Sequence, residues 1–273
     1  MRRAIVAGLL LMAAIATAPA GRAQEPVLLH AAGSLRAALT EVAQAFTSAN
    51  GIAVKPAFGA SGLLRERIEK GERAEVFASA DLGNPLALAQ AGRAGPVVLF
   101  ARNELCAFLR PEIDATPQTL LERMLDPAVK LGTSTPRADP SGDYAFKVFA
   151  RAEAVKPGTR AALEAKALQL TGGPASMPAP EGINTYGHKL ASGEADIFLA
   201  YCTNAASIAR EQPAIRLVRL PPELAVGADY GLTVTSGASP NAWRFAMFIL
   251  AREAQEILAR HGFAAPTLPR EGG

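Results

Sequence analysis

The chain has 273 residues, with 28 Lys and Arg against 25 Asp and Glu, so its formal charge is small and basic. Three of the basic residues, Arg2, Arg3 and Arg22, lie in the first 23 positions, and without them 25 basic residues face 25 acidic ones. That balance excludes a nucleic-acid or anionic-membrane partner argued from net charge, and the remaining length allows one large domain or two lobes with sizeable cores.

The opening MRRAIVAGLLLMAAIATAPAGRAQ has a basic start, an apolar run from Ala4 to Ala16 and small residues before Gln24. This is expected to be a secretory signal peptide spanning 1–23 and cleaved after Ala23. The apolar run is shorter than the roughly 18 to 20 residues a spanning helix needs. An oxidising, periplasmic location follows. There the two cysteines, Cys106 and Cys202, are expected as a disulfide in preference to two buried thiols. Its loop of about 95 residues would stabilise the fold by roughly 4 to 5 kcal/mol in the chain-entropy model.

From there the pattern repeats strand, small-residue turn, helix. Val27 to Ala32 reads as a buried strand, Gly33-Ser34 as the turn, and Leu35 to Phe46 as a helix with Leu35, Ala38, Leu39, Val42 and Phe46 on one face. Asn50-Gly51 ends it. Ile52 to Phe58 is the next strand, Ser61-Gly62 the turn, and Leu63 to Lys70 a short charged helix closed by Gly71. Val76 to Ala80 is a third strand. Pro96 to Ala101 and Leu105 to Arg110 form an extended crossing into a second lobe, where Val129 to Ser134 leads into a helix from about Gly142. The Ala-, Gly- and Pro-rich region from Val155 to Gly182 reads as a helix followed by a loop. Asp196 to Tyr201 is a buried strand, Ile215 to Leu220 and Tyr230 to Thr235 are return strands, and a closing helix has Ser239 as N-cap, Pro240 at N1 and Gly262 past its end. Alternating strands and helices imply an α/β fold with a parallel or mixed sheet.

Three turns place a serine near a helix start: Ser34, Ser61 and Ser141 in Pro140-Ser141-Gly142. Helix N-termini leave backbone N–H groups without intrahelical partners and carry partial positive charge, so such turns can hold an anion without any cationic side chain. Each serine alone reads more simply as an N-cap. Three of them in one α/β chain favour a ligand, because ligands settle outside the carboxyl ends of the strands. Enzyme signatures are missing: GASGL is not G-x-S-x-G, and there is neither G-x-G-x-x-G nor a Walker loop. His30, His188 and His261 lack metal-ligand spacing, and Asp139 with Asp143 reads as helix-start capping that could also hold a cation or do acid/base work.

AAGSLRAALTEVAQAF, FGASGLLRERIEKGERAEVFASAD, GEADIFLAY and AMFILAREAQEILARHGFAAP resemble, in order and spacing, the periplasmic molybdate-binding proteins of ABC importers. The resemblance implies a two-lobed, type II periplasmic-binding-protein fold with mixed parallel sheets and a ligand cleft between the lobes. It also implies a monomer with no cofactor and no catalytic role, which hands molybdate or tungstate to importer membrane subunits. The expected divisions are 24–105 for the first lobe, 106–225 for the second, and 226–273 for the return to the first lobe and the closing helix. Carried over by motif, the ligand donors would be Ser34 and Ser61, the backbone N–H of Ser141, the N–H of Ile183 at a helix start, and the hydroxyl of Tyr201, eighteen residues beyond Ile183. Glu75 stands where the family usually has Asp, and Asp139 beside Ser141 leaves the choice of oxyanion open, since related tungstate binders use carboxylates. A binder of sulfate or another small anion is the alternative, and a secreted serine hydrolase using Ser61 a remoter one.

Overall fold

A computed structural model describes residues 25–266. The expected signal peptide lies outside the described residues. In chain order the elements are β1 (Val27–Ala32), α1 (Arg36–Asn50), β2 (Val54–Gly59), α2 (Ser61–Glu69), β3 (Val76–Ser79), α3 (Gly83–Gln90), β4 (Val98–Leu109), α4 (Leu120–Leu125), β5 (Leu131–Ser134) and α5 (Pro140–Val155). They continue with α6 (Thr159–Lys166), β6 (Leu168–Thr171), α7 (Thr185–Ala191), β7 (Ile197–Tyr201), α8 (Ala205–Glu211), β8 (Arg216–Arg219), β9 (Gly227–Val234), α9 (Pro240–Leu250) and α10 (Arg252–Arg260).

The strands follow the order β2-β1-β3-β9-β4-β7-β5-β6, with β8 also on β4. β1 is parallel to both β2 and β3, and β5 is parallel to β6 and β7. Antiparallel β9 and β4 join the two halves. Five of the six residues of β1, and all residues of β3, β5 and β7, are buried, as central strands covered on both faces require. On α1, Ala38, Leu39, Val42 and Phe46 are buried at helical spacing, and Phe46 meets the Phe245 ring edge-on at 5.0 Å. Each of the larger side chains contributes about 1.5 to 3 kcal/mol by leaving water.

The stretch expected as two strands around Arg102-Asn103-Glu104 is one, β4. Its first part pairs with β9 over Val98 to Glu104, and its last part pairs with β7 and β8 from Leu105 onward. The polar trio does not break the strand because each side chain is engaged where the partners change. Arg102 pairs with Asp229 at 2.9 Å, Asn103 with Thr203 and Tyr230, and Glu104 with Arg219 at 3.2 Å.

Three further differences have local causes. β6 lies in the region read as loop, because Gly132 to Ser134 offers Leu168 to Thr171 a parallel edge. α5 begins at Pro140, two residues before Gly142, because Asp139 caps it. The closing helix is two helices: Gln255 Nε2 donates to the carbonyls of Ile249 (2.9 Å) and Phe100 (3.1 Å), and this lets the chain break at Ala251. Ser239 caps α9 as expected, its hydroxyl accepting from Ala242 N–H. The Cys106–Cys202 disulfide forms, with the Cα atoms 5.0 Å apart. Glu75, buried, ties β3 to its surroundings by accepting the N–H groups of Leu28 (3.0 Å) and Ser239 (3.1 Å). Burial pushes its pKa upward, but those two backbone donors prevail and hold it below the ordinary carboxylate value.

Candidate ligand cleft

Neither Ser34 nor Ser61 caps its helix. Ser34 sits in a short 3₁₀ turn, Gly33–Leu35, and the N-cap of α1 is Leu35, without a side-chain cap. Ser61 lies inside the first turn of α2, whose N-cap is Ala60. Their hydroxyls point to other partners. Ser61 Oγ accepts the Ala80 N–H at 3.1 Å, and Ser34 Oγ shares a hydrogen bond of 2.9 Å with the Tyr230 hydroxyl. Because Ser61 Oγ is occupied as an acceptor, its own proton is left for donation.

Tyr201, at the end of β7, reaches the same place from the second half. Its hydroxyl donates to the Ala80 carbonyl at a long 3.4 Å, and its ring lies 5.6 Å from that of Tyr230. Burial, reinforced by the neighbouring Tyr230 and Asp139, holds its pKa well above the ordinary tyrosine value, so it stays a proton donor. Ser34, Ser61 and Tyr201 are thus gathered around Ala80 and Tyr230.

The halves meet at α2. Gly62 N–H donates to the Ala138 carbonyl at 2.9 Å, spanning the cleft. Beside this seam lies a cavity of about 530 Å³, lined by Asp81 and Asp229 on one side and by Asp143, Tyr144 and Lys147 of α5 on the other. Lys147 Nζ rests 4.5 Å above the Tyr144 ring. Three carboxylates against one ammonium give no field that would draw an anion in, so anion recognition here would rest on neutral donors. An open apolar groove of about 600 Å³, lined by Phe46, Trp243 and Met247, lies at the opposite end of α1 from Ser34.

Two expected donors are otherwise engaged. The Ser141 N–H donates to Asp139 Oδ1 at 3.0 Å, so a carboxylate of the chain already holds this helix start. Ser141 is fully buried, and its Oγ has no hydrogen-bond partner. Ile183 does not begin a helix: α7 starts at Thr185, with Asn184 as its N-cap accepting from Tyr186 and Gly187. Ile183 is 40 % exposed and spends its N–H on the Pro180 carbonyl at 3.1 Å. Asn103 and Tyr230 were not singled out as site residues. Asn103 lies between Arg102 and Glu104, so nothing local in the sequence sets it apart. Among the described residues no imidazole or carboxylate is hydrogen-bonded to Ser61, and no cluster of three or more metal-ligating side chains occurs.

Asp139 is partly exposed as a residue, but its carboxyl is pressed so closely on Gly172 that a Cβ there would lie 2.4 Å from Oδ2. Burial raises its pKa from 3.8 to about 6, against the hydrogen bonds from Ser141 and Ser134 and with a further push from Asp143 and Asp81. The folded chain therefore holds the extra proton between those values. Its stabilising contribution is full below about pH 4 and is lost as pH rises through about 6. Asp139→Asn keeps an oxygen for Ser141 N–H and removes the charge. The variant is expected to melt several degrees above the native chain at pH 7.5, with the gap closing toward pH 4. Thermal unfolding across that range checks this, and a gap independent of pH would refute it.

Two halves of mixed sheet joined by crossing strands, with the ends of β1, β2 and β7 facing a shared cleft, define a two-lobed ligand-binding protein of the type II periplasmic-binding-protein fold. Residues 27–264 match the model of the bacterial extracellular solute-binding proteins, and the chain belongs to that family. It is 27% identical over 265 residues to the molybdate-binding protein ModA of Mycobacterium bovis, covering 92% of this chain and 90% of that one. Among solved structures, the periplasmic molybdate-binding protein of Azotobacter vinelandii is similar at 18% identity and a TM-score of 0.69, over 88% of this chain and all of that one. The sulfate-binding protein SubI of Mycobacterium tuberculosis reaches 0.71 at 16% identity, over 89% of this chain and 87% of that one. Those two likenesses concern the fold. Among the described residues no helix is long and apolar enough to cross a membrane.

Proposed function

We propose that this protein binds a tetrahedral oxyanion, molybdate or tungstate, in the periplasm and delivers it to the membrane subunits of an ABC importer. One observation carries the reading: the hydroxyls of Ser34 and Ser61, neither used on its own helix, gather with that of Tyr201 beside the seam of the two lobes. Neutral donors suit an importer. Hydrogen bonds to a charged group contribute about 1.5 to 3 kcal/mol each. A handful of them, less desolvation and lobe closure, gives roughly 10 kcal/mol and affinity in the tens of nanomolar. The identity with a molybdate-binding protein over 92% of the chain supports the same ligand class.

Asp139 favours a second reading. An acceptor at the seam would suit an oxyanion that keeps a proton, such as hydrogen phosphate, whereas molybdate, tungstate and sulfate offer only acceptors. A thermal-shift panel of the four anions separates the readings, since a ligand at a thousand times its Kd adds about 4 kcal/mol of stability. Shifts with molybdate and tungstate are expected. A shift with sulfate or phosphate and none with the metal oxyanions would overturn the reading. Ser34→Ala is expected to cost about 2 kcal/mol, close to thirtyfold in molybdate affinity by calorimetry. Unchanged affinity would remove Ser34 from the site.

A further inference from the structure

Behind Ser34 runs a chain of hydrogen bonds whose direction is fixed at its far end. Asn103 Oδ1 accepts the Glu104 backbone N–H at 2.9 Å, and a backbone N–H can only donate. The other end of the amide is therefore Nδ2, with two protons. It donates one to Thr203 Oγ1 at 2.9 Å and one to the Tyr230 hydroxyl oxygen at 3.2 Å. Both Asn103 and Tyr230 are buried, at 5% and 0% exposure, so no solvent offers an alternative partner.

The Tyr230 oxygen, already accepting from Asn103, has among the described residues one other hydrogen-bond partner, Ser34 Oγ at 2.9 Å. If Ser34 donated along that contact, the phenolic proton would be buried without an acceptor and would bear its full desolvation cost. Donation from Tyr230 to Ser34 leaves every group satisfied. Ser34 Oγ is then an acceptor on its inner side, and its own proton is turned away from Tyr230, out of this half-buried residue.

We propose that Asn103 and Tyr230 are positioning residues that set the Ser34 hydroxyl as a one-way donor to the bound anion. The proposal rests on the oxyanion reading above and deepens it. The relay presents a proton and withholds a lone pair at Ser34, so it favours an anion that has only acceptors to offer. It also couples the donor to the β9–β4 crossing, since Tyr230 is on β9, Asn103 on β4, and Thr203 in the turn after Tyr201.

A double-mutant cycle measured by calorimetry, with whichever of sodium molybdate, tungstate or sulfate the native chain binds most tightly, tests this. Tyr230→Phe keeps the ring and its packing on Tyr201, Phe100 and Phe263. It is expected to weaken binding about tenfold in the native background and less than twofold in Ser34→Ala. A residue that only holds the fold would lower affinity equally in both backgrounds, and that result, or unchanged affinity in Tyr230→Phe, overturns the relay. If Tyr230→Phe lowers the melting temperature of the ligand-free chain markedly, Asn103→Asp makes the same test. An acceptor in place of the Nδ2 donor reverses the direction of the Tyr230 proton; its added charge weakens binding in both backgrounds, and the relay adds a further loss only while Ser34 is present. A native chain that binds none of the three dianions overturns the oxyanion reading itself and the relay with it. Binding together with additive losses overturns the relay alone.

Discussion

Gly62→Ala is expected to weaken oxyanion binding at least tenfold while leaving the ligand-free chain as stable as before. Gly62 is in the first turn of α2, and its N–H crosses the seam to the Ala138 carbonyl. A Cβ at this position would stand 2.3 Å from the Arg137 carbonyl oxygen and 2.7 Å from that of Ala138. Both are backbone atoms, and the turn that carries them is braced. Arg137 is held at φ 68° with its N–H on Asp143 Oδ1 at 2.9 Å, and Asp139 N–H returns to the Thr135 carbonyl at 2.9 Å. Relief must come from the lobes standing about an ångström further apart, because packed backbone gives way poorly.

Lobes that part when the ligand leaves would free the methyl of both carbonyls, and alanine is the better helix former by about 1 kcal/mol. The variant therefore penalises the closed state alone, and affinity falls by the fraction of molecules that can still close. Calorimetry with molybdate, beside a melt of the ligand-free chain, reads the two effects separately. Native affinity in Gly62→Ala would show that the α2 seam does not close over the ligand.

Much of this architecture could be read in advance where the chain announces itself locally. β1, β3 and β7 are short, mostly apolar runs because they are covered on both faces, and the Ser239-Pro240 start of α9 follows cap chemistry that needs no tertiary information. Asp139 reads as helix-start capping and does cap α5, and its carboxylate accepts the Ser141 N–H that the family resemblance assigns to the ligand. Ile183 comes from the family resemblance as a helix start, but the cap of α7 is Asn184, whose side chain has the acceptor that isoleucine lacks. Asn103 and Tyr230 could not be read at all. Their contact exists because β9 lies beside β4, and 127 positions separate them in the chain.

Replacing both Cys106 and Cys202 by serine is expected to lower stability by about 4 kcal/mol, a drop on the order of 10 °C in melting temperature for a chain of this size. The bond closes a loop of sequence separation 96, and opening it returns that conformational freedom to the unfolded chain. The native packing changes less. Cys106 stays paired within β4, opposite Ala200 of β7 and Arg219 of β8, and Tyr201 stays opposite Leu105. What is released is the turn Cys202–Asn204, which follows Tyr201 directly and holds Thr203 against Asn103 at 2.9 Å. Ligand affinity should therefore fall only a few fold, through the freedom gained by Tyr201 and by the Asn103 amide. Denaturant unfolding of the serine pair, and of the native chain under reducing conditions, should give the same loss of stability. Cys106 is fully buried and Cys202 only partly covered, so reduction should become complete only as the chain unfolds. A loss under about 1 kcal/mol would mean that the unfolded chain is already compact around this loop, and the entropic account of the bond would then fail.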